Sequence, residues 1–195
     1  MKSELKILLL FVILIFITAC GNNLPLSEKV SSYSLLDQDS SKVIFPDFAK
    51  GKISVVGYIF TNCPDICPLT TNNMNIIQEK LKKEKIHDVQ FVSISFDPVT
   101  DKPSVLKKFA KVRSLDLSNW EFLTGEKSTV SKLIKDVGVV AIPSDSTILP
   151  NGTKQYYYVH TDRISLMDRD GRIRKNYPVS KIKINEILED IKSLE

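Results

Sequence analysis

Two cysteines, Cys63 and Cys67, stand four residues apart in the run Phe60-Thr61-Asn62-Cys63-Pro64-Asp65-Ile66-Cys67-Pro68, and each is followed by proline. Positions i and i+4 share one face of a helix, so the two sulfurs can converge on one point. A helix opening here would place them at its N-terminus, where partial positive charge favours thiolate over thiol. Pro64 and Pro68 stiffen the approach and remove two backbone donors. Three chemistries suit such a pair. One thiolate can attack a disulfide while the other resolves it, although redox thioredoxins have two intervening residues and this run has three. Two thiolates can hold a soft metal, with Cu(I) preferred over hard cations. A plain disulfide can staple the loop, but so short a ring removes little chain entropy.

A third ligand would separate metal binding from exchange, and the chain has 2 His residues. His87 lies in the polar connection Lys85-Ile86-His87-Asp88 and reads as a solvated loop residue. His160 ends the run Tyr156-Tyr157-Tyr158-Val159 and precedes Thr161, at a strand edge or loop rim. On position alone it reads as a hydrogen-bonded structural histidine.

The remaining cysteine belongs to an address. Lys2 and Lys6 give a positive start, residues 7–17 are an unbroken apolar run, and Thr18-Ala19 precede Cys20. The run is short for a membrane span, which takes about 20 residues, and suits a secretory signal. The ending Ile17-Thr18-Ala19-Cys20 resembles a bacterial lipobox. That resemblance implies cleavage before Cys20 and lipid attachment to it, with acyl chains holding the domain against a bilayer. The expected organisation is a signal peptide over residues 1–19, a tether over 20–30 and one domain over 31–195. The expected place is the cell membrane, on its extracytoplasmic or periplasmic face, where thiols meet an oxidising environment. The chain is 43% hydrophobic and 26% charged over 195 residues, which excludes a disordered protein, a fibre and a polytopic membrane protein. The net charge of +4 is spread among interleaved acids and bases, so no nucleic-acid partner is implied. No CxxCH occurs, which excludes a covalent c-type haem.

These residues need a frame. Residues 53–60 (ISVVGYIF) and 89–96 (VQFVSISF) are continuous apolar runs, the mark of strands buried on both faces. Between them, residues 68–84 read as a helix with Leu69, Ile76, Ile77 and Leu81 on one face. Short strands are expected at 33–36 and 42–45. A second helix follows the loop 97–103, with Asp101 near its N-cap, Pro103 in its first turn and Leu106, Phe109 and Ala110 inward. A strand at 121–124 and a helix ended by Gly138 come next. Residues 141–154 hold Pro143, Pro150 and Asn151-Gly152 and read as a long loop. Strands at 156–159 and 164–168, a hairpin turn at Asp170-Gly171 leading to 172–175, and a helix with Ile184, Ile187, Leu188 and Ile191 inward complete the chain. Strand–helix alternation followed by a hairpin predicts a thioredoxin-like α/β domain: a central mixed sheet flanked by helices, with a late β-hairpin. Sites in such sheets lie beyond the carboxyl ends of strands, where the cysteine run falls.

The run Phe60-Thr61-x-Cys63-Pro64-Asp65-x-Cys67-Pro68 resembles the signature of the Sco/SenC family of copper-binding thioredoxin-like proteins. Ser95-Phe96-Asp97-Pro98 with Asp101, Trp120-x-Phe122-Leu123-Thr124-Gly125, Val159-His160-Thr161, Leu166-Met167-Asp168 and Asp170-Gly171 resemble its further motifs in order and spacing. The resemblance implies that Cys63, Cys67 and His160 bind one copper ion, Cu(I) or Cu(II), per chain. It turns His160 from a structural residue into an expected ligand. It also implies delivery of copper, or of reducing equivalents, to the copper A site of cytochrome c oxidase subunit II. A thioredoxin-like reductant and another copper chaperone are the further partners expected. Asp65 could tune charge, bind Cu(II) weakly or simply form a turn. Asp97 and Asp101 could order the loop beside the site or simply cap. Trp120 reads as core packing. The rival function is an extracytoplasmic thiol-disulfide oxidoreductase, in which Cys63 and Cys67 are a catalytic redox dithiol. A peroxidase of the same superfold is weaker, since no Arg adjoins the motif.

Overall fold

The computed structural model describes residues 24–25, 29–64, 66–148, 152 and 154–195. Strands β1 (Tyr33–Leu36) and β2 (Lys42–Phe45) form an antiparallel hairpin. Strand β3 (Ile53–Ile59), helix α1 (Ile66–Lys83) and strand β4 (Val89–Ser95) make a parallel βαβ unit, paired from Ile53↔Val89 to Ile59↔Ser95. Every residue of β3 and β4 is buried, as their apolar runs predict. Helix α2 (Pro103–Val112) leads to β5 (Trp120–Leu123), parallel to β4, and helix α3 (Lys127–Asp136) follows. After a second hairpin, β6 (Ala141–Ile148) and β7 (Lys154–His160), come β8 (Ile164–Met167), β9 (Ile173–Tyr177) and helix α4 (Ile184–Ser193). The central sheet has the order β5-β4-β3-β8-β9, with β8 antiparallel to β3 and β9 antiparallel to β8. This is the thioredoxin-like mixed sheet the sequence predicts.

Four expectations need correction. Leu69 and Ile76 do not face the core; they are 38% and 37% exposed. The buried residues of α1 are Cys67, Thr70, Thr71, Asn73, Met74, Ile77, Gln78 and Leu81. At 3.6 residues per turn, Leu69 and Ile76 lie about half a turn from the centre of the stripe these form. That stripe sits tightly on β3 because Gly57 has no side chain: a Cβ there would meet Met74 Sδ at 2.5 Å and Thr70 Cγ2 at 3.0 Å.

Residues 141–154 are not a loop but most of the β6–β7 hairpin. Pairing runs from Ala141↔His160 to Ile148↔Lys154, with an irregularity between Pro143 and Ser146. A lone two-stranded ribbon is all edge, so a proline is tolerated there. Gly152, with φ of 80°, follows the turn signal at Asn151, which lies outside the described residues with Pro150.

Asp101 does not cap α2. Lys102 occupies the cap position without a side-chain bond, and Pro103 takes the first turn as predicted. The expected tether is also not free of the domain throughout. Leu24 and Val30 are buried in the core, and Arg174 donates to the carbonyls of Leu24 and Pro25. Cys20 and the rest of the signal segment lie outside the described residues. No helix among the described residues is long and apolar enough to cross a membrane.

Candidate metal centre

Strand β3 delivers the chain to the site, and backbone hydrogen bonds fold the cysteine run back on its end. Cys63 N–H donates to the Phe60 carbonyl at 3.3 Å. Phe60 N–H donates to Cys67 Sγ, and Cys67 N–H donates to Cys63 Sγ, each at 3.4 Å. Each sulfur therefore meets a fixed backbone donor. No disulfide joins the two cysteines; Cys63 is half-buried and Cys67 buried. Asp101, fully buried, fastens the same loop from below. Its carboxylate accepts from Thr61 N–H at 3.0 Å, Thr61 Oγ1 at 2.5 Å and Ser95 Oγ at 2.6 Å. The residue that position suggested as a helix cap thus ties the cysteine loop to the end of β4.

Strand β7 brings the third side chain. Its period of two turns Tyr156, Tyr158 and His160 toward the domain and leaves Tyr157 and Val159 exposed. The inward row packs on Phe60 and Phe96, which follow the ends of β3 and β4. Tyr158 lies 5.0 Å from Phe60 and 5.2 Å from Phe96, centroid to centroid. His160 lies 5.1 Å from Phe96 and 6.4 Å, edge-on, from Phe60. Tyr156 lies 6.3 Å from Phe60, and its hydroxyl donates to Asp97. Burial, then the Asp97 bond, push the Tyr156 phenol up to about 12.

Donor atoms of Cys63, Cys67 and His160 all lie within 4.8 Å of one another. His160 Nδ1 sits 3.2 Å from the Thr161 carbonyl. A carbonyl can only accept, so Nδ1 carries the proton and Nε2 keeps its lone pair. The Cys67 thiol is raised by its contact with the Cys63 sulfur and by burial, and the Phe60 N–H only partly offsets this. Charge at the helix N-terminus therefore does not decide its protonation. Burial pulls His160 down, but Cys63, the Thr161 carbonyl and Asp162 outweigh it, and its pKa is raised. Two soft sulfurs and one borderline nitrogen form a donor set that suits copper and does not suit hard cations.

The match to known proteins follows the same outline. A family model described as SCO1/SenC matches residues 22–195. The chain belongs to the SCO1/SenC family. A SCO1/SenC family lipoprotein from Bacillus anthracis str. Ames is 34% identical, with a TM-score of 0.71 over 85% of this chain and 94% of that one. Bradyrhizobium japonicum ScoI, solved with copper bound, is 28% identical, with a TM-score of 0.71 over 86% of this chain and 100% of that one. BsSco, a member of the Sco family of cytochrome c oxidase assembly proteins in which a disulfide switch was identified, is 34% identical. Its TM-score is 0.69 over 87% of this chain and 95% of that one.

Within this SCO1/SenC domain the other sequence-flagged residues fall as follows. His87 is exposed and lines a cavity with Gln78, Asp116 and Asn119, apart from the cysteines. Trp120 is core: it stacks on Phe122 at 5.6 Å and donates from its indole to Ser93 Oγ at 3.0 Å. Asp65 lies outside the described residues. Asp97 orders the hairpin through Tyr156. The sequence reading passed over Phe60, Phe96, Tyr156 and Tyr158 as site builders. The signal was present: Tyr156, Tyr158 and His160 alternate, and both phenylalanines follow buried strands.

Proposed function

We propose that this chain is a membrane-tethered copper metallochaperone. It delivers copper, or electrons, to the copper A site of cytochrome c oxidase subunit II. The observation that carries this reading is the convergence of Cys63, Cys67 and His160 within 4.8 Å. Cys63, Cys67 and His160 hold the ion, supplying two sulfurs and one nitrogen. Copper is the cargo here, and the site's exposure suits a cargo. Cys67 is buried while Cys63 and His160 are half-buried, so an acceptor approaches from the Cys63–His160 side. The two backbone N–H donors on sulfur temper the thiolates, which favours release over permanent capture. Bradyrhizobium japonicum ScoI with copper bound and the description of the Sco family as cytochrome c oxidase assembly proteins support the reading. Upstream, another copper chaperone loads the site and a thioredoxin-like reductant keeps it reduced. Residues 1–19 form the signal, and lipid on Cys20 tethers the domain on the extracytoplasmic face, a reading supported by the Bacillus anthracis lipoprotein.

The test is X-ray absorption of the copper-loaded protein. The expected shell has two sulfurs and one nitrogen per copper; a shell of oxygen and nitrogen without sulfur overturns the reading. Mass spectrometry of the mature terminus tests the anchor, and an unmodified terminus elsewhere overturns it.

A second reading, a thiol-disulfide oxidoreductase, is favoured by one observation: the sulfurs of Cys63 and Cys67 lie within 4.8 Å of each other, a gap that side-chain rotation can close. Metal binding needs deprotonated free sulfurs, so copper and the disulfide are exclusive states of one site. Oxidase activity in cells carrying His160→Ala decides between them. Loss supports copper delivery; normal activity supports exchange.

A further inference from the structure

Strand β7 pairs with β6 and, among the described residues, with no strand of the central sheet. The backbone ladder therefore does not fix where the histidine hairpin stands over the strand ends. Side chains do, and Tyr156 reaches furthest. It lies on the same face of β7 as His160. Its ring stacks on Phe60 at 6.3 Å with an interplanar angle of 24°. Its hydroxyl donates to Asp97 and lies 2.5 Å from Thr100 Oγ1. With its one proton given to Asp97, the phenol oxygen accepts from Thr100. Asp97 and Thr100 belong to the loop closed by Asp101, which holds Thr61, two residues before Cys63.

We infer that Tyr156 is a positioning residue for the ligand set: its hydroxyl latches the hairpin that carries His160 to the loop that carries Cys63. The inference rests on the copper reading of the site. It makes the nitrogen ligand's place depend on a hydroxyl that touches neither sulfur nor imidazole in any bond described above. Networks of this kind are weakened when partly satisfied, so removal of one oxygen frees two partners, Asp97 and Thr100.

The experiment uses the full chain in detergent, reduced, with Tyr156→Phe and Tyr157→Phe side by side. Phenylalanine keeps the stack on Phe60 and removes only the latch; Tyr157 is outward and serves as control. Copper affinity is measured against a competing chelator. Tyr156→Phe is expected to weaken copper about tenfold, the size of an outer-shell loss, and Tyr157→Phe to leave it unchanged. In the copper-free protein, hydrogen exchange of the β7 amides is expected to quicken in Tyr156→Phe while α4 keeps its protection. The thiolate-to-copper(II) absorption band should shift in Tyr156→Phe alone. Unchanged affinity overturns the inference, whether or not exchange quickens. So does a loss of protection that spreads to α4, which would make Tyr156 merely structural. If the parent binds no copper, the proposed function fails instead; the β7 exchange of the copper-free protein then still judges the latch.

Discussion

The two halves of the ligand set are held by different physics. Cys63 and Cys67 sit in one short run, and backbone N–H groups of Phe60 and Cys67 fix both sulfurs. His160 is nearly a hundred positions away in the chain and arrives on a ribbon that, among the described residues, has no ladder bond to the central sheet. Rings and hydroxyls hold it there: Phe60, Phe96, Tyr156 and Tyr158. Chain proximity and local backbone bonds place the first two ligands, with Cys67 anchored in the core. Side-chain packing places the third. Damage to one half should therefore leave the other measurably intact.

The largest break falls on the local half. Cys67→Ser removes a soft ligand and leaves a hydroxyl, which does not deprotonate at neutral pH. Copper affinity is expected to fall by more than about 100-fold, beyond the range of outer-shell losses. Hydrogen exchange of the β6–β7 amides should not change, because no ring contact is lost. Quickened exchange there would show that the halves are not independent.

Phe96→Ala attacks the other half. Phe96 is 7% exposed and touches Phe60, Tyr158 and His160. Phe→Ala in a core costs about 3–5 kcal/mol, from lost burial and the cavity left behind. Urea denaturation should read a loss of that order, and the hairpin should exchange fast. Cys63 and Cys67 should still close to a disulfide, since the donors to their sulfurs are backbone N–H groups of Phe60 and Cys67, which the substitution leaves in place. Failure to oxidise would put the dithiol's geometry under the aromatic cluster's control.

This division also explains what was legible beforehand. The buried strands, the βαβ unit and the cysteine run follow from local pattern: apolar continuity in 53–60 and 89–96, and the spacing of Cys63 and Cys67. The hairpin was missed because Pro143 and Pro150 read as breakers, although Asn151-Gly152 ahead of the alternating Tyr156, Tyr158 and His160 is a hairpin signal. Leu69 and Ile76 misled because, seven residues apart, they share one helix face, but it is the outer one; the true stripe of α1 includes Thr70, Thr71 and Gln78. Of the two roles expected of Asp101, ordering the loop beside the site holds and capping does not. Its three donors come from Thr61 and Ser95, which no local pattern links to it.

His160→Ala sharpens the comparison at the point of contact. Loss of one nitrogen ligand should weaken copper by about tenfold or more, less than loss of a sulfur. Disulfide formation between Cys63 and Cys67 should proceed as before, since exchange needs no imidazole. His87→Ala should change neither. Copper titration and thiol counting after mild oxidation read both effects in one preparation. A slowed oxidation in His160→Ala would give the imidazole a part in the local half.

The smallest effect lies beneath the cysteine loop, at Asp101. Burial raises its pKa; the donors from Thr61 and Ser95 pull it back without cancelling the rise, and Asp97 adds to it. The folded state therefore holds this proton more tightly than the unfolded chain, whose Asp titrates near about 3.9. As pH rises above that value, the unfolded state loses its proton first, and stability falls until pH passes the folded pKa. Asp101→Asn cannot titrate and keeps a carbonyl oxygen for Thr61 N–H, so copper affinity should change little. Urea denaturation of parent and variant in steps from about pH 4 upward reads the difference. Parent minus variant should decrease with pH and then level. A difference that grows with pH would mean that the charged carboxylate is the stabilising form. The three hydrogen bonds would then outweigh burial, and the local half would owe its rigidity to an ion.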